Sequence, residues 1–118
     1  MAFGRSLFAV GSSVALVLLF AGPAAANNFS ASVTGARANY TDSGDVLTAT
    51  DTATDGQSAR AQVRRNGTII GSVTASGGSG TSNSINLNIP ENVAIQIRAC
   101  RMNGGAVVAC SGWISGTS

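Results

Sequence analysis

The sequence predicts an all-β fold, a small antiparallel β-sandwich of immunoglobulin-like size with about seven strands. Three observations lead to this expectation. From Ala31 onward, apolar residues recur mostly with a period of two and without helical spacing. Turn-forming residues interrupt this alternation at short intervals. Residues 27–118, which follow a predicted export signal, have the length of one small domain, for which two packed sheets are favoured and a small β-barrel is the alternative.

Residues 1–26 predict a cleavable secretory signal peptide. Arg5 supplies a basic start, an apolar stretch extends from Leu7 to Phe20, and Ala24 to Ala26 offer a small-residue cleavage site. The apolar stretch is shorter than the roughly 20 residues that a bilayer core requires, so we expect cleavage, with an uncleaved N-terminal helix as the alternative. The expectation is a secreted, extracellular protein that begins at Asn27 and has no membrane span.

The first elements of the predicted domain are two strands. Alternating residues predict one strand over 32–40, and the turn signal Thr-Asp-Ser-Gly follows it at 41–44. A second strand is expected over 45–50. The pair Asp55-Gly56 then marks another turn.

The next two strands are predicted to form a hairpin. Residues 58–65 alternate cleanly, so we expect one buried face and one solvent-exposed face, formed respectively by Ala59, Ala61 and Val63 and by Arg60, Gln62 and Arg64. Asn66-Gly67 favours a two-residue type I′ turn. The return strand is expected over 68–75, with Ile70 and Val73 as its apolar positions.

The second half of the domain is predicted to add three more strands. Residues 77–82 are rich in glycine and serine, which predicts a mobile surface loop. The turn at 90–92 separates two alternating apolar series, and the last strand is expected over 106–114. The two series are Ile85, Leu87 and Ile89, and Val93, Ile95, Ile97 and Ala99.

Cys100 and Cys110 are the only cysteines of the chain, and both lie in the predicted secreted part, where disulfides form and persist. Two cysteines allow one intramolecular pairing. A hairpin centred on the turn signal at 103–105 places them directly opposite each other. We therefore expect a cross-strand disulfide that stabilises the fold, with a redox switch as the alternative.

The composition narrows the possible functions. After the signal, six arginines stand against five acidic residues, a balance that gives no reason to expect nucleic-acid binding. Histidine and lysine are absent, which excludes Ser-His-Asp and Cys-His catalysis in their usual forms. The glycine-rich stretch at 77–80 lacks the lysine and the following helix of a phosphate-binding loop. We expect no enzymatic activity and no cofactor.

Four aspartates lie close together in the sequence: Asp42, Asp45, Asp51 and Asp55. Carboxylates can ligate Ca²⁺ or act as a general acid and base. Asp42-Ser43-Gly44 and Asp55-Gly56 are also ordinary turn formers, and the spacing of an EF-hand loop is absent. Turn formation is the favoured interpretation, while calcium binding and hydrolysis by two aspartates stay open.

Three arginines are candidates for a basic surface patch. Arg60 and Arg64 share the solvent face of one predicted strand, and Arg98 lies on the polar face of another. Such a patch could bind an acidic polymer or a cell-wall component. The alternative is that these are solvated side chains that discourage association between strands. Trp113 is expected to cover the disulfide, with a role as a ligand platform as the alternative.

Two stretches resemble a group of small secreted actinobacterial proteins of unknown function. They are residues 44–59, with the sequence GDVLTATDTATDGQSA, and residues 110–113, with the sequence CSGW. The shared features are turns, strand patterns and a cysteine pair. The resemblance implies origin and export, and it assigns no active-site residue.

The function expected from these observations is that of a non-enzymatic extracellular module. It would bind a protein, a polymer or a surface through its loops and one exposed sheet face. The alternative is a secreted inhibitor or antagonist that acts on a competitor's enzyme or envelope. We expect a monomer.

Overall fold

The computed structural model describes residues 28–118, which form nine β-strands in two antiparallel sheets. The predicted signal peptide and the expected first mature residue, Asn27, lie outside the described residues. Between residues 28 and 118 the chain has no helix that could cross a membrane. The strands are β1 (Phe29–Val33), β2 (Ala36–Thr41), β3 (Val46–Asp51), β4 (Ser58–Arg65), β5 (Thr68–Ala75), β6 (Ser82–Asn86), β7 (Ala94–Asn103), β8 (Ala106–Cys110) and β9 (Ile114–Thr117).

The two sheets confirm the predicted sandwich. The four-stranded sheet has the order β1-β2-β3-β6, and the five-stranded sheet has the order β9-β7-β4-β5, with β8 also paired to β7. The long strand β7 therefore pairs with β4 along one side and with β8 and then β9 along the other. The sheets stay separate, so the barrel alternative is wrong.

The sequence predicted seven strands and residues 28–118 form nine, because two of the predicted strands are each divided into two. The strand expected over 32–40 is a hairpin of β1 and β2 with Thr34-Gly35 as its turn. Gly35 has a φ of 90°, a conformation that glycine adopts without steric cost. The strand expected over 106–114 is interrupted at 111–113, where the Ser111 N–H donates to the Ala99 carbonyl at 2.8 Å.

The predicted hairpin at 58–75 is confirmed with the expected bounds for β4 and β5. Asn66 and Gly67 have φ angles of 52° and 79°, as a type I′ turn requires. Of the two apolar positions named on the return strand, Val73 is buried and Ile70 is 42% exposed. A register shift opposite Val63 and Arg64 leaves Ile70 without a partner on β4, and such a bulge turns a side chain away from the core.

The core lies between the inner faces of the two sheets and consists largely of small side chains. Ala59, Ala61 and Val63 are fully buried, as predicted, and β7 adds Ile95, Ile97 and Ala99. The four-stranded sheet contributes Tyr40 and Leu47 together with several alanines. At one side of the sandwich the Phe29 ring packs directly on Gly116, where a Cβ atom would overlap the ring.

The predicted disulfide is confirmed. Cys100 on β7 and Cys110 on β8 are directly opposite, with Cα atoms 4.0 Å apart and sulfur atoms 2.05 Å apart. The bond therefore connects two strands of one sheet and does not join the two sheets.

Candidate functional site

The outer face of the five-stranded sheet brings together the three arginines that the sequence singled out. Arg60 and Arg64 project from β4 and Arg98 from β7, and all three are half-buried. The strand register places Gln62 opposite Arg98, and Arg64 opposite Gln96. We call this surface the arginine face and define it as Arg60, Gln62, Arg64, Gln96, Arg98 and Trp113.

Cross-strand hydrogen bonds hold the three guanidinium groups in place. The Arg64 Nε–H donates to Gln96 Oε1 at 2.6 Å, and the Arg98 Nε–H donates to Gln62 Oε1 at 2.8 Å. The Arg60 Nε–H donates to Thr74 Oγ1 on β5 at 3.1 Å. Each contact uses only one of the five N–H groups of a guanidinium, so the terminal NH₂ groups keep donors for a ligand.

Trp113 lies on the arginine face. The guanidinium carbons of Arg64 and Arg98 lie over its ring, 4.2 Å and 4.5 Å from the centroid. These are cation–π distances, and they bring two like charges to one aromatic ring. The sequence pointed to the disulfide as the neighbour of Trp113 and did not reveal the contact with the arginines. Trp113 lies in the break between β8 and β9. The sequence predicted a single continuous strand over 106–114 and therefore did not indicate this contact.

The arginine face carries uncompensated positive charge. In the part of the chain that the structure describes, no carboxylate lies within ion-pair distance, 4.0 Å, of Arg60, Arg64 or Arg98. The nearest polar partners are neutral amides and a hydroxyl. A cationic surface whose side chains are already positioned is suited to bind carboxylate, phosphate or sulfate groups.

The structure separates the four aspartates into two pairs at opposite ends of β3. Asp42 and Asp45 belong to the turn before the strand, whereas Asp51 is its last residue and Asp55 follows in the next loop. Strand β3 has six residues and therefore spans about 20 Å. The four carboxylates consequently do not form one site.

Glu91 joins the first pair, a contact that the sequence did not indicate. Carboxylate oxygens of Asp42, Asp45 and Glu91 all lie within 4.8 Å of one another. The Tyr40 hydroxyl donates to Asp45 Oδ1 at 2.5 Å. The pKa of Tyr40 is raised because its ring is buried, because its hydroxyl donates to the Asp45 carboxylate, and because all three carboxylates are negatively charged. Because Asp45 accepts a hydrogen bond from a buried tyrosine, it has a structural role in this turn.

The second pair lies at the opposite end of the sandwich. Asp51 is buried, and its Oδ1 accepts the Ala53 N–H at 3.1 Å. Asp55 is exposed, and its Oδ1 accepts the Gln57 N–H at 2.9 Å. Both bonds are turn-forming contacts, and the one at Asp55 is of the kind that the sequence favoured for Asp55-Gly56.

Comparisons of this chain with protein-family models, with curated proteins and with solved structures gave no match.

Proposed function

We propose that this protein is a small secreted binding module without enzymatic activity, and that it attaches to an acidic extracellular polymer through the arginine face. The observation that carries the proposal is the pair of guanidinium groups held over Trp113 with no acidic partner among residues 28–118. The disulfide supports an extracellular location because such bonds persist in oxidising compartments.

The arginine side chains favour binding because they are already restricted and lose little conformational entropy when a ligand binds. A free arginine side chain loses conformational entropy when a ligand fixes it, and this loss weakens binding. Gln62, Gln96 and Trp113 already restrict Arg64 and Arg98 before any ligand arrives. The terminal NH₂ groups can then pair with carboxylate, phosphate or sulfate oxygens.

The same geometry favours an acidic polymer over a neutral polysaccharide. Proteins often bind neutral sugars by stacking them on an exposed aromatic ring. Here Trp113 is half-buried and already in contact with two guanidinium groups. We therefore assign Trp113 the role of a positioning residue and the arginines the role of ligand contacts.

A binding assay with polygalacturonate beads tests the proposal, with neutral dextran beads as the reference. We expect retention on polygalacturonate that weakens as sodium chloride screens the charges. The double variant Arg64→Gln, Arg98→Gln should bind at least about tenfold more weakly. The double variant Arg37→Gln, Arg65→Gln removes the same charge outside the arginine face and should bind nearly normally. Equal losses in the two double variants would contradict a specific site.

Substitution of Trp113 distinguishes the effect of positioning the arginines from the effect of the protein's total charge. Trp113→Ala leaves the net charge unchanged but removes the ring that restricts both guanidinium groups, so we expect several-fold weaker binding to polygalacturonate. Trp113→Phe keeps an aromatic ring and should restore most of the affinity. If Trp113→Ala binds as well as the unaltered protein, the ring does not position the arginines.

Secretion is tested separately by the intact mass of the protein recovered from the culture medium. We expect a mass that corresponds to a chain beginning at Asn27. A mass that retains the first 26 residues, or recovery only in the membrane fraction, would contradict export with cleavage.

A further inference from the structure

A cleft of about 680 Å³ lies at the end of the sandwich where β3 ends, far from the Asp42 turn. One wall is the loop that follows β3, and the opposite wall is the glycine-rich loop before β6. Its lining combines apolar surface with two carboxylates and several hydroxyl groups, and includes Asp51, Asp55, Thr54, Ser58, Ser76 and Ser79. No arginine is among the lining residues.

Asp51 is an unusual component of this lining. Its side chain is only 1% exposed, and while Oδ1 accepts the Ala53 N–H, Oδ2 has no hydrogen-bond partner among the described residues. A buried carboxylate that lacks a cation and a full set of donors is costly, since desolvation is not offset. Such a group in a native structure calls for an explanation, and service to a binding site is one of the explanations.

The backbone around Asp51 connects both walls of the cleft. The Asp51 N–H donates to the Thr81 carbonyl at 2.9 Å, and the Gly80 N–H donates to the Asp51 carbonyl at 2.7 Å. The glycine-rich loop is thereby attached to the residue that carries the uncompensated charge. Arg60 donates a hydrogen bond to Thr74, which lines the cleft, and the Arg101 and Asp55 side chains both lie close to Gly35.

We propose that this cleft binds a small organic cation with a primary ammonium group. Asp51 and Asp55 supply negative charge at the cleft, which attracts a cation. An ammonium group has three N–H donors, for which the lining hydroxyls and the exposed Asp55 carboxylate are acceptors, while the buried Asp51 carboxylate attracts the cation through its charge. The proposal does not rest on the function assigned to the arginine face.

The lining favours an organic cation over a metal ion. Ca²⁺ takes six to eight oxygen ligands, commonly including several carboxylates. Asp51 and Asp55 are the only carboxylates in the lining, and they belong to no cluster of three acidic side chains in residues 28–118. The volume is also that of a small-molecule site and much larger than a single ion needs.

The test is an NMR titration of the isotope-labelled protein with n-butylammonium chloride. We expect saturable shifts at the backbone amides of Asp51, Gly78 and Gly80. Two probes at matched concentration serve as references: n-butanol has the same chain without the charge, and calcium chloride has charge without the organic group. Shifts of equal size with n-butanol, or tighter saturation with calcium chloride at these amides, would overturn the assignment.

Two matched variants locate the charge that binds the cation. Asp51→Asn keeps an oxygen that can accept the Ala53 N–H and should weaken binding at least about tenfold. Asp42→Asn makes the same change at the other end of β3 and should leave the affinity unchanged. Unchanged binding in Asp51→Asn would overturn the proposal. If Asp51→Asn does not fold, Asp55→Asn takes its place: weaker binding supports the cleft, and unchanged binding rejects it.

Discussion

At the scale of single residues, burial and register determine which side chains serve the core and which serve the surface. Ala59, Ala61 and Val63 point inward from β4 because strand residues alternate between faces, and Arg60 and Arg64 at the alternate positions are consequently placed outside. This part of the candidate site could be predicted from the sequence. The contact of Trp113 with two of these arginines could not, since it depends on where β8 ends.

The alternation on β4 predicts opposite consequences for two neighbouring substitutions. Val63→Asp places a charge in a fully buried position and should cost more than about 3 kcal/mol of unfolding free energy. Arg64→Ser removes a hydrogen bond and a cation–π contact at the surface and should cost about 1 kcal/mol. Urea titration of both variants provides the comparison, and similar losses would contradict the assignment of the two faces.

Tyr40 should make the stability depend on pH under alkaline conditions. Its pKa in the folded protein is raised above the ordinary value of 10.0, first by burial and then by the Asp45 carboxylate. Below pH 10.0 the phenol is protonated in both the folded and the unfolded chain, so its contribution to the free energy of unfolding is fully present. As the pH rises above this value, the unfolded chain releases the phenolic proton while the folded chain retains it, and the free energy of unfolding falls.

The chain is well suited to measuring this effect. It contains one tyrosine and no lysine, and both cysteines are joined in the disulfide, so no other side chain titrates near the same pH. Denaturant titrations between about pH 8 and pH 11 should show decreasing stability. Tyr40→Phe should remove this decrease, whatever its effect at neutral pH. A decrease of equal size in Tyr40→Phe would mean that another group is responsible.

At the scale of the elements, the turns determined what could be predicted. The Asn66-Gly67 signal between two clearly alternating strands defined the β4–β5 hairpin. Thr34-Gly35 lies within a continuous alternating stretch, and only the positive φ of Gly35 reveals a turn there. The four aspartates are close in the sequence, which left a shared site open, but an extended strand separates Asp45 from Asp51 by its whole length.

The β7–β8 hairpin should depend on its disulfide for stability. Replacing Cys100 and Cys110 together by serine removes the constraint on the unfolded chain and should lower the free energy of unfolding by about 2.5 to 3 kcal/mol. Thermal and urea unfolding of the double variant give the measurement. Binding to polygalacturonate, assayed well below the melting temperature, should be retained. Unchanged stability with lost binding would favour the redox alternative.

At the scale of the whole molecule, the charged residues that belong to strands all lie on the inner strands of the two sheets. The arginines lie on β2, β4 and β7, each of which has a neighbour on both sides. The strands at the sheet edges, β1, β5, β6, β8 and β9, carry no charged side chain and no proline. Charged side chains and proline are the residues with which proteins commonly protect an edge strand against pairing with another chain. Strand order, which no single sequence reveals, was needed to recognise this distribution.

The topology predicts a gradient of local stability, which hydrogen exchange can measure. Strands β4 and β7 are paired on both sides, and their inward residues are fully buried, so their amides should exchange slowest. Strand β6 pairs only with β3 and is largely exposed, so its amides should exchange fastest among the strands. The measurement also examines the expectation of a monomer, because a second chain paired to the uncharged edge of β6 would protect its amides. Protection of β6 equal to that of β7, and rising with protein concentration, would contradict both the gradient and the monomer.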